Sequence, residues 1–254
     1  MVAPRLAHKV LRPSIAAGLI YLLLMGYGLF FGLAVGLTFS TAEPFTGFLI
    51  CLAILLHRRY RWGAALMFGL ASLSRETAVL FPVGYLIFYC VRKEWRPALA
   101  MALFGIAPLV VWLMFLRFVF GETGLGFAPA FESLPFLGIL VQSETPRKFI
   151  LLIITILIPA AAALFLGVRE LLRGRFDPVL LSFILNAILV VFLSRLSTTD
   201  LVAPGRIAVG MMLGGVAYAA TNKGDVIAVA FLYNIITFIL YLAGVLAGIQ
   251  SLYL

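Results

Sequence analysis

The residues best suited to chemistry form the short stretch Ser74-Arg75-Glu76-Thr77, where a positive and a negative charge stand side by side. This stretch interrupts an apolar run from Trp62 to Cys90. A charge at hydrocarbon depth costs a few kcal/mol even on lenient insertion scales, so it is found mainly where it faces a cavity or a partner. Arg75 suits an anionic group such as phosphate, because its planar guanidinium donates two parallel hydrogen bonds.

The composition indicates what surrounds these charges. Hydrophobic residues make up 64% of the 254-residue chain and charged residues 11%, whereas soluble domains are about half apolar and a quarter charged. This excess predicts an all-α, polytopic integral membrane protein with membrane lipids as partners. The net charge of +9 fits basic residues at one membrane face, so nucleic acid is not an expected partner.

Nine apolar segments are predicted to be helices of a single transmembrane domain that covers residues 1–254. The first is too long for a cleaved signal peptide and is predicted to be a retained span. Residues 120–147 are predicted to form an extracytoplasmic loop. In chain order the segments are 14–39, 44–56, 62–74, 77–91, 97–119, 148–168, 178–194, 204–220 and 226–252.

The distribution of basic residues orients this bundle. With the N-terminus in the cytoplasm, the cytoplasmic segments hold 13 Lys and Arg residues and the other side holds six, as the positive-inside rule expects. Two basic clusters flank the segment Trp62–Val91: Arg58, Arg59 and Arg61 before it, and Arg92, Lys93 and Arg96 after it. Fusing the segment into one helix would send these two clusters to opposite sides. We therefore predict two short helices that form a hairpin with its tip at Arg75-Glu76. Three prolines inside predicted spans, Pro82, Pro108 and Pro159, are expected to kink them.

Three predicted helices are too short to cross a membrane. Pro44–Leu56 and Trp62–Ser74 have 13 residues each, and Thr77–Val91 is barely longer. At about 1.5 Å per residue, 13 residues span roughly 20 Å of a hydrocarbon core about 30 Å thick. Their far ends must then meet in protein or beside water. This predicts a polar cavity lined by Glu43, Arg75 and Glu76. The alternative is a structural salt bridge that ties the three helices together.

Further charged residues are predicted at the same level. Arg117 ends the fifth span and Arg195 the seventh, and Asp200 and Arg206 flank the start of the eighth. Arg206 lies where the helix dipole disfavours a cation, which favours an anionic partner. Arg117, Asp200 and Arg206 are therefore candidate binding residues. Neither a nucleotide-binding motif nor a metal-ligand spacing occurs in the sequence, so no cofactor and no metal are expected.

Several motifs resemble polytopic glycosyltransferases of the GT-C class. They are Glu43-Pro44 at the start of a short helix, the segment Leu70–Pro82 with its Ser-Arg-Glu-Thr, Trp112–Arg117 followed by Phe120-Gly121, and an arginine near the start of a late helix, Arg206. The resemblance covers roughly residues 40–121 and the surroundings of Arg206. It implies a bacterial cytoplasmic membrane protein that binds a polyprenyl-phosphate-linked sugar on the extracytoplasmic side.

The chain departs from that class at its start. The catalytic acid of these enzymes lies in a first long extracytoplasmic loop, whereas the first loop here is the tight turn Ser40–Glu43. The chain is therefore similar to the later part of such an enzyme, and no catalytic residue is identified. Glu43 is a substitute candidate for the base.

Three functions remain open at this point. The first is a GT-C-like glycosyltransferase or a truncated relative of one. The second is a non-catalytic integral subunit of a larger membrane complex with other membrane proteins as partners. The third is a lipid or solute transporter, because broken helices that meet inside the membrane also occur there.

Overall fold

The computed structural model describes residues 42–123, 132–141, 146–194 and 202–221. Every regular element in these four ranges is a helix and no strand occurs there, in agreement with the predicted all-α class. The spans predicted at 14–39 and 226–252 lie outside the described residues.

The described helices agree with the predicted segments to within a few residues at most ends. A 3₁₀ turn, Glu76–Val79, precedes α3, a wide (π) turn, Met101–Ile106, lies inside α4, and a second one, Ile153–Leu157, lies inside α6. The helices are α1 Ala42–Leu56, α2 Arg61–Ser74, α3 Leu80–Val91, α4 Trp95–Phe120, α5 Leu137–Val141, α6 146–172, α7 Pro178–Val191 and α8 Val202–Thr221.

The predicted break falls at Arg75, and the single uninterrupted helix over residues 62–91 is wrong. Arg75 has φ −153° and ψ 122°, an extended conformation between two helical segments. Its N–H still donates to the Ala71 carbonyl at 2.9 Å, and its own carbonyl accepts from Ala78 N–H at 3.0 Å. The chain therefore reverses at Arg75 without losing these two backbone hydrogen bonds.

Helices α2 and α3 form an antiparallel hairpin. In the middle, the rings of Phe68 and Tyr85 lie 4.9 Å apart. At the open end, the Arg61 guanidinium lies over the Tyr89 ring at 5.7 Å and pairs with Glu94 at 3.1 Å. The two basic clusters, which precede α2 and follow α3, therefore lie at the same end of the hairpin, as the charge distribution predicts.

Two of the three prolines follow a wide turn. The turn in α4 ends two residues before Pro108, and the turn in α6 ends two residues before Pro159. Proline cannot donate to the carbonyl four residues earlier and its ring crowds that carbonyl, so the helix widens there. Pro82 is the third residue of α3, three residues after the 3₁₀ turn that leads into that helix. The kink expected at Pro82 stays a prediction.

Glycines bring the helices into close contact. Gly69 of α2 packs directly against the Phe104 carbonyl of α4. On α8, a Cβ at Gly214 would lie 3.0 Å from the Phe183 Cα of α7, and one at Gly210 would overlap the Asn186 side chain. Gly210 and Gly214 therefore let α8 pack tightly against α7.

Helix α7 is the centre of the described bundle, with α3, α6 and α8 packed around it. Asp177 caps its first turn, accepting hydrogen bonds from the N–H groups of Val179 at 2.9 Å and Leu180 at 3.4 Å, and Pro178 follows the cap. The helix therefore begins where the predicted segment 178–194 begins. Buried Ser182 donates to the Phe81 carbonyl of α3 at 3.0 Å, which ties α7 to the hairpin.

Within the described ranges one helix, α4, is long and apolar enough to cross a membrane. It has 26 residues and a mean hydropathy of 2.4 over its most apolar window. Three shorter apolar helices accompany it, Phe45–Leu56, Glu76–Val91 and Pro178–Val191.

Candidate functional site

A cavity lies where the ends of α1, α2 and α3 meet, and we call it the tip cavity. Its empty volume is about 330 Å³ including the mouth. Helices α7 and α8 complete its wall. The lining residues are Thr46, Gly47, Ile50, Arg75, Thr77, Ala78, Phe81, Asn186, Val209, Gly210 and Leu213.

The convergence of the three helix ends follows from local contacts. Thr46, in the first turns of α1, donates a hydrogen bond to Ser74, the last residue of α2, at 3.0 Å. The next residue is the extended Arg75, and Thr77 belongs to the 3₁₀ turn that leads into α3. Thr46, Arg75 and Thr77 therefore line the cavity at the places where helices begin and end.

The opposite wall carries an amide. Asn186 of α7 is 1% exposed, and its Nδ2 donates to the Ser182 carbonyl at 2.8 Å. Because Gly210 has no side chain, α8 comes close enough to cover Asn186 from the other side. The amide is thus fixed in place at the cavity wall.

The structure places the predicted site residues as follows. Arg75 lines the cavity, whereas Glu76 begins the 3₁₀ turn, is exposed and lies outside that lining. Arg117 is exposed in the last turn of α4, whose end is capped by Gly121 at φ 77°. Glu43 belongs to α1, one turn before Thr46, and its side chain lies outside the described part.

The two late candidates are only partly described. Asp200 lies outside the described residues, as does Arg195. Arg206 belongs to α8, one turn before Gly210 of the cavity wall, so its backbone is at the cavity end of the bundle; its side chain is not among those described. Of the predicted set, the structure thus shows Arg75 in the wall and the backbones of Glu43 and Arg206 nearby.

Sequence reasoning missed Thr46 and Asn186, and it included Thr77 only as a member of the Ser74–Thr77 stretch. A usable signal exists for Asn186, because it is an amide inside the apolar segment 178–194 and a buried amide needs polar partners. Searching every predicted span for polar as well as charged side chains would have found it.

A second polar cluster lies at the end opposite the tip cavity, and sequence reasoning missed it too. The carboxylate of Glu170, near the end of α6, is 7% exposed. It accepts hydrogen bonds from Arg173 at 3.1 Å, Arg175 at 2.5 Å and the Tyr218 hydroxyl of α8 at 3.0 Å. In the sequence analysis, Arg173 and Arg175 are counted only among the 13 cytoplasmic Lys and Arg residues.

The cluster changes the acidity of Glu170. Burial by itself would raise the pKa of this carboxyl, but the hydrogen bonds from Tyr218, Arg175 and Arg173 outweigh it, so its pKa lies below the ordinary value. Glu170 is therefore ionised at neutral pH and its three donors are engaged. The cluster joins α6 to α8 and has the character of a structural ion network.

Part of the predicted extracytoplasmic loop packs on the cavity end of α7. The N–H of Phe136 donates to the Val191 carbonyl at 2.7 Å, and the N–H of Glu132 donates to the Phe192 carbonyl at 3.3 Å. Short helix α5 follows at Leu137–Val141. These bonds satisfy carbonyls at the end of α7 that have no helical partner.

Comparison of the chain with family models, with curated proteins and with solved structures finds no match. In the described part of the chain, no group of three or more His, Cys, Asp or Glu side chains is close enough to hold a metal ion.

Proposed function

We propose that the tip cavity binds the head group of a lipid-phosphate-linked sugar, and that the chain is a GT-C-like membrane glycosyltransferase or a truncated relative of one. The observation that carries the proposal is Arg75 in the cavity wall, at the break between two short helices. Its guanidinium binds the phosphate, and the hydroxyls of Thr46 and Thr77 with the amide of Asn186 are suited to sugar hydroxyls.

The enclosed part of the cavity is small, about 20 Å³, which is room for about one water molecule. The rest of its 330 Å³ is the open mouth. We therefore place the sugar phosphate at the mouth of the cavity, with the polyprenyl chain along the apolar outer faces of the helices.

The exposed surface of α4 supports a place in the membrane. A core helix of a soluble protein is mostly buried, whereas 22% of the most apolar window of α4 is buried. Large apolar side chains are exposed over its last three turns, and this suits contact with acyl chains. They are Val110, Val111, Trp112, Met114, Phe115, Phe118, Val119 and Phe120. The bundle is proposed to be polytopic, with its basic end in the cytoplasm.

In the proposed reaction an acceptor hydroxyl attacks the anomeric carbon of the bound sugar. The new glycosidic bond forms as the bond between that carbon and the phosphate oxygen breaks, so the phosphate leaves on the lipid and Arg75 stabilises its charge. The proton of the acceptor goes to a carboxylate acting as general base. Glu43 is the proposed base, because it lies in the first turn of α1, one turn before Thr46 of the cavity wall.

A non-catalytic subunit that binds the same lipid is the second candidate. The described cavity wall supplies a guanidinium, two hydroxyls and an amide, and these groups bind ligands but do not accept a proton at neutral pH. Such a subunit would bind the donor without turning it over, and would purify at fixed stoichiometry with another membrane protein.

The test uses the purified protein in detergent with a radiolabelled polyprenyl-phosphate sugar, and measures both binding and transfer to acceptor. Arg75→Gln removes the charge but keeps a polar side chain, and we expect binding about 10–100-fold weaker, since a hydrogen bond to a charged group contributes about 1.5–3 kcal/mol. Arg169→Gln, at a partly exposed arginine in the last turn of α6, is the control and should bind as the original chain does.

Two outcomes would contradict the proposal. One is the absence of donor binding by the original chain. The other is unchanged binding by a folded Arg75→Gln variant, with folding checked by its unfolding midpoint. Binding without transfer, unaffected by Glu43→Gln, would select the non-catalytic subunit.

A further inference from the structure

Three turns meet at the end of the bundle opposite the tip cavity, and we call their basic surface the basic rim. Two contacts show that the turns are adjacent, since Arg61 pairs with Glu94 at 3.1 Å and the ring of Phe88, in the last turn of α3, stacks on Phe176 at 5.5 Å. Eight cations of the rim are exposed. They are Arg58, Arg59, Arg61, Arg92, Lys93, Arg96, Arg173 and Arg175.

The acids of this end are already engaged by donors. Glu170 accepts hydrogen bonds from Tyr218 and two arginines, Asp177 caps α7, and Glu94 pairs with Arg61. The outer surface therefore has an excess of positive charge that the described acids do not balance.

The start and the length of α4 set the depth at which the basic rim lies in a membrane. Helix α4 begins at Trp95, inside the rim, and its 26 residues measure about 39 Å, more than the roughly 30 Å of hydrocarbon. The cations then lie at the level of the lipid phosphates. Large amphipathic rings, which favour that level, are exposed beside them: Tyr60 at 56%, Trp62 at 55% and Trp95 at 67%.

We propose that the basic rim binds the headgroups of anionic phospholipids. Arginine pairs with a phosphodiester through two parallel hydrogen bonds, and the neighbouring indole rings pack against the glycerol and upper acyl region. This inference rests on the membrane placement given under the proposed function, but not on the chemistry of the tip cavity.

The test uses the full chain purified in an uncharged detergent. Phosphatidylglycerol or phosphatidylcholine with the same acyl chains is titrated in, and two quantities are measured: the unfolding midpoint, and the number of lipids retained in native mass spectrometry. We expect phosphatidylglycerol to raise the midpoint and to remain bound, and phosphatidylcholine to do neither. The effect should weaken as salt is raised, because exposed charges are screened.

Variants locate the effect on the rim. Four exposed cations are changed together as Arg58→Gln, Arg59→Gln, Lys93→Gln and Arg96→Gln, and we expect at least a tenfold weaker preference for phosphatidylglycerol, since each charge near an anionic surface is worth about fivefold. The matched control keeps every charge, as Arg58→Lys, Arg59→Lys, Lys93→Arg and Arg96→Lys, and should keep most of the preference. If the Gln variant does not fold, the double change Arg58→Gln with Lys93→Gln is used.

Several outcomes would overturn the inference. They are equal stabilisation by the two lipids, an unchanged lipid preference in the folded Gln variant, and equal stabilisation by free glycerol phosphate. Equal stabilisation by a soluble polyanion such as heparin would point to a soluble acidic partner instead. A phosphatidylglycerol effect that persists although the chain binds no sugar donor leaves this inference standing and removes only the proposed function.

Discussion

The hydroxyl of Thr46 donates a hydrogen bond to the hydroxyl of Ser74 at 3.0 Å, across 28 residues of sequence. This bond joins the start of α1 to the end of α2 directly beside Arg75. Because Arg75 leaves the helix in an extended conformation, the bond helps to fix the place from which the guanidinium enters the cavity wall.

Removing either hydroxyl should lower the free energy of unfolding, and the two effects should be coupled. We expect Thr46→Val and Ser74→Ala each to lower the free energy of unfolding by about 1 kcal/mol, the usual contribution of a neutral hydrogen bond. The double variant should cost less than the two single changes added together, since they remove the same bond. Unfolding of all four proteins in one detergent measures this, and strictly additive effects would show that the bond contributes nothing.

At Arg75 itself, a lysine should be a poor replacement. Arg75→Lys keeps the positive charge but loses the planar pair of donors that matches a phosphate. We expect donor binding between that of the original chain and that of Arg75→Gln, while the unfolding midpoint stays within a few degrees. Full binding by the lysine variant would show that the cavity needs charge alone and would weaken the case for a phosphate held by two hydrogen bonds.

The two glycines of α2 with described surroundings should respond in opposite directions to alanine. A Cβ at Gly69 would overlap the Phe104 carbonyl and lie 3.1 Å from its carbon, so α2 and α4 must separate, at a cost of about 1–3 kcal/mol. At Gly63 the nearest atom would be the Tyr60 Cβ at 3.7 Å. Gly63→Ala should therefore stabilise by about 0.5–1 kcal/mol through helix propensity. Equal unfolding midpoints for Gly69→Ala and Gly63→Ala would contradict the close contact between α2 and α4.

The hydrogen bonds to Glu170 should make the free energy of unfolding depend on pH. The pKa of Glu170 is lower in the folded chain than in the unfolded one, so its contribution is present above the unfolded value and is lost as the pH falls through the folded value. Tyr218→Phe removes one donor and should cost about 1.5–3 kcal/mol at pH 7.

Unfolding midpoints measured from pH 7 down to pH 3 test this. The difference between the original chain and Tyr218→Phe should shrink as Glu170 becomes protonated. A difference that stays constant over the whole range would show that the hydroxyl acts through packing and not through the carboxylate.

Helices α3 and α6 end in the same type of turn with different residues. Both show the pair of backbone hydrogen bonds of a Schellman motif, with Lys93 at φ 58° in one and Gly174 at φ 75° in the other. A side chain in this left-handed region costs about 1–2 kcal/mol. Lys93→Gly should stabilise by up to about 1 kcal/mol, and Gly174→Ala should destabilise by a similar amount.

Lys93→Ala is the control for the lysine, because it removes the charge without relieving the backbone. It should leave the free energy of unfolding nearly unchanged in an uncharged detergent. Stabilisation by alanine as large as that by glycine would mean that charge repulsion, and not backbone strain, is relieved at this turn.

The sequence by itself determined the helical class, most helix ends and the break at Arg75. Each of these depends on local chemistry, such as an apolar run, an Asp-Pro cap at Asp177, or a pair of charges that cannot remain inside an apolar helix. The positions of the basic clusters added the direction of the hairpin. Membrane insertion, the lipid-linked sugar and the transfer reaction remain predictions.

Only the tertiary structure decided which polar groups meet. Thr46 reaches the wall of the tip cavity because α1 packs along α2, and Asn186 reaches it because Gly210 lets α8 approach α7. Glu170 and Tyr218 form their bond although 48 residues separate them. Hydropathy and spacing describe the neighbours of a residue along one helix, whereas the partners across helices depend on which small residues allow two backbones to touch.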